Sequence, residues 1–401
     1  MSRPLSHADL PSADIWLGVA RSVADEFAAT AREREQNRQS ASAEIARLKE
    51  SGLLALSIPA EYGGAGLGWD NLARIVREIA RGDASLALLL GVHYIATTAV
   101  WRNGIHGSGA DFLAAVVRER WFVGVVFNPL DPSLTVDIRP DSVILSGSKS
   151  FCTGAPLADR ILIMAQRQDT KAVIYLVIPQ GLPGVTQTSD WDAIGMRLGD
   201  SSSFMFDNAA VGLDSVVSPL HGAYRQTPWN ALFGLMVWLL YTNYYLGAAW
   251  GAFAFARGYT LTKTRPWITA NVDRASQDPY IIELYGQVYI ELKGAEALLD
   301  RAASDIEAAI ARGPELTAEE RGEAAVSLFT ARVATSRAAL DATSRLFEAM
   351  GARAATDRVG FDRYWRDVRT HTLHHPLAYK VREVGDYALN ANYPDYSSGY
   401  S

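Results

Sequence analysis

Residues 147–159, GSKSFCTGAPLAD, decide how the rest of the chain is read. They continue a short apolar run, SVILSG at 142–147, that has the length and β-branched content of a strand. Gly154 and Pro156 then break it, and small residues fill the turn. Such a turn brings backbone N–H groups and the Thr153 hydroxyl against the polar edge of a flat ring. The same residues also make an ordinary hairpin, and spacing alone does not choose between the two.

Four more runs of strand length surround this one: WFVGVVF at 121–127, RILIMAQ at 160–166, AVIYLVI at 172–178 and SSFMFDN at 202–208. Pro and Gly punctuate them, so the middle of the chain reads as a small antiparallel β domain over 121–225. Both flanks read as helical. In residues 13–50, Ile15, Val19, Val23 and Phe27 recur at helical spacing, and Gly52 closes the run. A loop follows at 57–70, then an amphipathic helix over 71–81 and an internal one over 85–100 that contains His93. A lone histidine in such a helix suits a hydrogen-bonded core position. Residues 231–256 read as a buried helix and 278–313 as a long amphipathic one. Thr317-x-x-Glu320 is a capping box, Gly351 suits the stop, and no proline lies between Pro314 and Pro376, so the helix between can be long. The fold class is α+β, mostly α: an N-terminal helical domain (1–120), the β domain (121–225) and a C-terminal helical bundle (226–401). Junctions between such parts are preferred cofactor sites.

The totals exclude some functions. With 401 residues, 49% apolar and 20% charged, the balance is that of a globular chain. A net charge of −6 argues against nucleic acid as a partner. No run of about 18 apolar residues is free of polar interruption, which argues against a membrane span. The first residues, MSRPLSHADLPSADIW, lack a signal-peptide pattern, and the single Cys152 excludes an internal disulfide. Both point to the cytoplasm. Ten Trp and 17 Tyr offer flat rings to a flat ligand, although filling the core explains most of them.

The densest group of proton-transfer residues lies at 361–380, FDRYWRDVRTHTLHHPLAYK. It holds His371, His374 and His375, preceded by Arg363, Arg366 and Arg369. On a helix, His371 and His374 share a face. That spacing also suits zinc, but no third ligand is evident, so no metal is expected. His375, before Pro376, reads as structural. Salt bridges to Asp362 and Asp367 account for Arg363 and Arg366.

Four segments together resemble the acyl-CoA dehydrogenase superfamily. They are G-x-K-x-F-x-T-x-A-x-x-A-D at 147–159, IPAEYGGAG at 58–66, WDAIGMR with SSSFMFDNAAV at 191–211, and FEAMGARAATDRVGFDRYWRD at 347–367. The resemblance implies a helical domain, a β-barrel-like middle domain and a four-helix bundle, assembled as a homotetramer with flavin between subunits. The dehydrogenases carry a glutamate base shortly after the Arg-Asp pair. Here no carboxylate lies between Asp367 and Glu383, and histidines occupy that part of the chain.

The segments TRPW (264–267), DPY (278–280), GAR (351–353) and GFDRYWRDVRTH (360–371) are similar to those of the reduced-flavin monooxygenase branch. That likeness implies a two-component enzyme. A separate NAD(P)H-dependent reductase would supply FMNH2 or FADH2, and O2 would form a C4a-hydroperoxide that oxygenates a small aromatic substrate. No GxGxxG follows a strand, consistent with a separate reductase. By the same resemblance Val125, Asn128, Lys149, Phe151, Cys152, Thr153, Arg265, Ala352, Arg353 and His374 would line the flavin. His371, His374 and Thr153 would be catalytic, since histidine exchanges protons near neutral pH. Arg265 or Arg353 would hold phosphate or balance reduced flavin. Leu88, Val92, His93 and Val125 would line the substrate pocket. Leu88, Val92 and Val125 stand where thiophene-oxidising members carry polar residues, so the pocket is more apolar here. It suits an indole-like or thiophene-like ring. Asn128 contacts flavin or substrate, or simply forms a turn before Pro129. An acyl-CoA dehydrogenase with a displaced base and a silent flavin-binding scaffold remain as alternatives.

Overall fold

The turn after residue 149 does leave a strand, and the structure, a computed structural model, shows what surrounds it. It describes residues 12–102, 108–219 and 226–397. The first eleven residues, most of the stretch read for a signal peptide, lie outside these. Five helices come first: α1 (Ala13–Gln36), α2 (Ser42–Ser51), α3 (Trp69–Gly82), α4 (Ala84–Arg102) and α5 (Gly109–Glu119). The single run expected over 13–50 is thus two helices. The break falls in the polar Gln36-Asn-Arg-Gln-Ser40 segment, where the apolar period lapses and Arg38 takes a left-handed φ of 47°.

Seven strands follow: β1 (Val123–Val126), β2 (Thr135–Ile138), β3 (Ser142–Lys149), β4 (Arg160–Arg167), β5 (Val173–Pro179), β6 (Val185–Gln187) and β7 (Phe204–Gly212). The five expected runs are strands, while β2 (TVDI) and β6 (VTQ) mix polar with apolar residues and leave no apolar run of their own. The sheet is not purely antiparallel. Successive parts of β4 pair parallel with β1 (Val126↔Ile163) and β2 (Thr135↔Gln166), while β5 pairs antiparallel with β4. The β2–β3 hairpin is inserted between β1 and β4, and that long connection is what lets β1 and β4 run the same way. Gly147 sits in a bulge of the β3–β7 pair with φ 118°, where a Cβ would lie 2.0 Å from the Ser133 carbonyl oxygen.

The last part is helical: α6 (Pro228–Thr262), α7 (Pro279–Ala311), α8 (Ala318–Met350), α9 (Asp362–Thr372) and α10 (Leu377–Asn390). The α8 capping box is present, with Glu320 N–H donating to Thr317 Oγ1 at 3.1 Å and Thr317 N–H to Glu320 Oε2 at 2.9 Å. The N-terminal helices and the bundle meet where α3 crosses α6. Gly247 and Gly251 make room there: a Cβ on either would fall 2.2 Å from the carbonyl oxygen of Arg77 or Arg81. α4 and α6 are long and apolar enough to cross a membrane by length and composition, contrary to the sequence expectation. However, 94% and 78% of their most apolar windows are buried in the protein, and that packing accounts for their hydropathy.

Candidate active site

The turn at 150–154 is held from below by the segment after β6. Val125 N–H donates to the Thr153 carbonyl at 3.1 Å, Cys152 N–H to the Ser202 carbonyl at 3.2 Å, and Gly154 N–H to those of Gly199 and Asp200. The N–H groups of 152–154 are therefore committed inside the protein, leaving side chains and carbonyls for a ligand. Thr153 Oγ1 and Ser201 Oγ share a hydrogen bond of 2.9 Å. Two hydroxyls use one proton between them and leave one to offer outward. Phe151 is 64% exposed in a left-handed backbone (φ 58°), edge-to-face against Trp191 at 6.3 Å. An exposed ring held in that conformation is what a planar ligand would cover.

α4 brings the apolar wall. Leu88 and Val92 are buried on it, and Val125 is buried on β1. A Cβ on Gly199 would lie 3.3 Å from Leu88, and one on Gly91 3.9 Å from Leu240 of α6. α4 thus packs against the segment behind the Thr153 turn on one side and against α6 on the other. His93 does not join the wall. Its side chain is fully buried, Nε2–H donates to the Leu54 carbonyl at 2.7 Å, and Nδ1 accepts from Val123 N–H at 3.1 Å. With both nitrogens used, His93 is a core link between α4, the turn after α2 and β1, not a pocket residue. Burial lowers its pKa to about 4, so it is neutral.

His371, at the end of α9, lies among α6 rings: Tyr241 and Tyr244 each 4.7 Å away edge-on, and His374 stacked at 5.2 Å. Its Nδ1 is 2.8 Å from Tyr245 Oη, which is 3.1 Å from the His371 carbonyl oxygen. Both contacts are hydrogen bonds only if Nδ1–H donates to Oη and the phenol donates to the carbonyl. That assigns the proton to Nδ1 and leaves Nε2 as an acceptor. Burial, then the charges of His374 and Arg332, hold the His371 pKa well below its ordinary value. His374 is open on its outer side and faces Trp238 and Tyr241 on its inner side. Burial and Arg332 lower its pKa too. His375 leans on Trp238 at 5.1 Å.

Several other expected contacts are spent elsewhere. The Lys149 amine donates to the Asp131 carbonyl and is buried. The Cys152 thiol is fully buried, donates to the Lys149 carbonyl at 3.2 Å, and has its pKa pushed up to about 12 by burial. Neither side chain reaches a ligand as placed. Asn128 does both things expected of a turn former, accepting from Leu130 N–H at 3.2 Å and donating to Ser150 Oγ at 3.3 Å. Arg265, Ala352 and Arg353 are exposed and lie near one another, since Thr264 Oγ1 donates to the Met350 carbonyl at 3.2 Å. That is the far end of α6 from the histidines. Tyr245 and Thr262 are roughly 25 Å apart along the helix axis. One chain therefore does not bring both sets together.

Of the arginines, Arg366 behaves as the sequence implied, bonding Asp362 at 2.7 Å and also Glu35. Arg363 instead donates to Tyr364 Oη at 2.7 Å. The sequence reading missed Trp238, Tyr241, Tyr244, Tyr245, Ser201 and Arg332. Arg332 carried a signal: it has no carboxylate three or four residues away, whereas Arg337 and Arg345 both lie four from Asp341.

Three models of acyl-CoA dehydrogenase domains match the chain: the N-terminal domain over 14–120, the middle domain over 127–209 and the C-terminal domain over 239–378. The chain belongs to the acyl-CoA dehydrogenase family. Within that family it is 38% identical over 397 residues to a probable FMNH2-dependent monooxygenase, SfnC, of Pseudomonas putida, covering 98% of both chains. Its fold matches the methanesulfinate monooxygenase MsuC of Pseudomonas fluorescens with a TM-score of 0.90 at 39% identity, over 96% of this chain and 99% of that one. It also matches TdsC of Paenibacillus sp. A11-2, a dibenzothiophene monooxygenase, in its complex with FMN and indole. There the TM-score is 0.89 at 37% identity, over 96% of this chain and all of TdsC. This member of the acyl-CoA dehydrogenase family is a flavin-dependent monooxygenase that uses reduced flavin.

Proposed function

We propose that the chain is the oxygenase component of a two-component monooxygenase, receiving reduced flavin from a separate reductase and oxygenating an electron-rich fused heteroaromatic ring, indole-like or thiophene-like. The observation that carries this reading is the neutral His371–His374 pair in place of a carboxylate base. The nearest carboxylates are committed: Asp367 accepts from Met196 N–H at 2.6 Å, and Glu383 binds Lys380 at 2.9 Å. The residues of the turn fit a planar cofactor, as the exposed Phe151 ring and the spare hydroxyl proton of Thr153–Ser201 indicate. When bound, reduced flavin supplies the activation of O2. Around it, Leu88, Val92 and Val125 exclude water and favour an apolar ring. His371 Nε2 accepts a proton, and His374 carries one between the site and solvent. That apolar wall favours a neutral aromatic over a small sulfur oxyanion such as the substrate named for MsuC.

The Arg265 and Ala352–Arg353 set would serve the flavin of a neighbouring copy, in a homotetramer. The exposed Trp267, Ile268, Tyr280, Ile282 and Ile290 support such an assembly.

The test couples the protein to a flavin reductase and NADH with indole and dibenzothiophene under 18O2. Labelled product is expected; no label in any product of either ring class would overturn the reading. Bleaching of bound FAD by an acyl-CoA without O2 would favour a dehydrogenase instead.

A further inference from the structure

Arg332 lies in α8 with 1% of its surface exposed. Its guanidinium sits over the Trp238 ring, 3.6 Å from the centroid. Nη2 reaches the His375 carbonyl at 3.5 Å, the long limit of a hydrogen bond, and Nε and Nη1 have no hydrogen-bond partner among the described residues. A buried cation without a carboxylate is costly, and Trp238 offsets only part of that cost. The groups that face it come from three helices and one turn. α6 contributes Trp238, Tyr244 and Tyr245; α9 and the turn after it contribute His371, His374 and His375; α10 contributes Lys380 and Glu383, already paired with each other; Arg332 itself comes from α8. The phenols are neutral, because burial raises their pKa. The local balance is positive, directly behind the histidine edge.

We propose that Arg332 is a positioning residue whose buried charge, bonded to no carboxylate among the described residues, holds His371 and His374 uncharged, so that they stay proton acceptors. For His371, burial does most of this work. For His374, open on one side, burial is incomplete and Arg332 is the next influence. The inference rests on the reading of these histidines as the proton-handling pair, but its test needs neither flavin nor substrate.

Diethyl pyrocarbonate acylates histidine only as the neutral imidazole, so its rate at His374, resolved by peptide mass spectrometry against pH, reports the protonation midpoint. In Arg332→Met the midpoint is expected at higher pH, with modification roughly threefold or more slower between the two midpoints. Arg332→Lys, which keeps the charge, is expected to titrate like the parent. The acid limb of product formation should move in the same direction in Arg332→Met only. If Arg332→Met does not fold, Arg332→Gln carries the same test with a donor left for the His375 carbonyl. An unchanged midpoint in a folded neutral variant would overturn the proposal. A shifted midpoint in a protein that forms no oxygenated product would leave it standing and sink the oxygenase reading alone.

Discussion

The two ends of α9 treat charge in opposite ways. At its start, Arg366 is matched by Asp362 and Glu35, and Glu35 also takes Arg197 at 2.9 Å. Deeper in, Arg34 meets Asp83 at 2.8 Å, and Asp83 Oδ1 caps α4 by accepting from Ser85 N–H at 3.0 Å. Asp367 anchors Met196, whose segment runs on to the Gly199–Ser202 stretch that backs the Thr153 turn. Less than two turns along α9, His371, His374 and Arg332 share an aromatic nest in which no carboxylate is bonded to any of the three among the described residues. Compensated charge builds scaffold, because its field cancels locally. Uncompensated charge keeps a field, and a field can act on a proton.

The comparison can be broken hardest at the compensated end. Asp83→Ala removes the nearer of the two carboxylates that pair the buried Arg34, leaving Glu44 at 3.5 Å, and also removes the α4 cap, so a loss of about 3 kcal/mol is expected in urea denaturation. Asp367 gives a second handle. Burial and the Asp83 charge raise its pKa to about 7, above its unfolded value, so its contribution is full below about pH 4 and lost as pH rises through 7. That loss has an upper bound of about 4 kcal/mol. Asp367→Asn keeps an oxygen for Met196 N–H and should abolish this alkaline slope in stability measured against pH. His93 supplies the opposite sign. Its folded pKa of about 4 is depressed, so its contribution is full above about 6.5 and falls by up to about 3 kcal/mol as pH drops to 4. His93→Gln should flatten that acid slope; an unchanged slope would mean that the ring does not stay neutral in the core. The smallest expected effect lies at the open end. His374→Ala should lower oxygenated product about tenfold and raise H2O2 release, with His371 still present. Unchanged coupling would remove His374 from proton handling.

Much of the fold was legible because its signals are local. The Thr317–Glu320 box, the Gly351 stop, the period over 278–313 and the five strands that lie in apolar runs each follow from neighbouring residues. The parallel pairing of β1 with β4 was not legible, since it depends on how a 33-residue excursion returns. Nor was the break in the first helical run. In the site, His371 and His374 were legible as a pair on one face. The roles of Lys149, Cys152 and His93 were not, because each is decided by a carbonyl or amide far away in the chain: Asp131, Lys149 and Leu54 with Val123. Those partners leave no periodic trace.

By itself the sequence determined the order of helices, strands and helices, the absence of a carboxylate between Asp367 and Glu383, and the histidines that stand there instead. These are facts of composition and spacing, which short-range propensity and hydrophobic period express directly. Only the tertiary structure decided that His93 is a core link with both nitrogens bonded, that His371 lies among the α6 rings with Nδ1 against Tyr245, and that Arg332 is buried beside Trp238 with no carboxylate bonded to it among the described residues. Burial and hydrogen-bond partnership set protonation, and both depend on which distant segments the fold packs together.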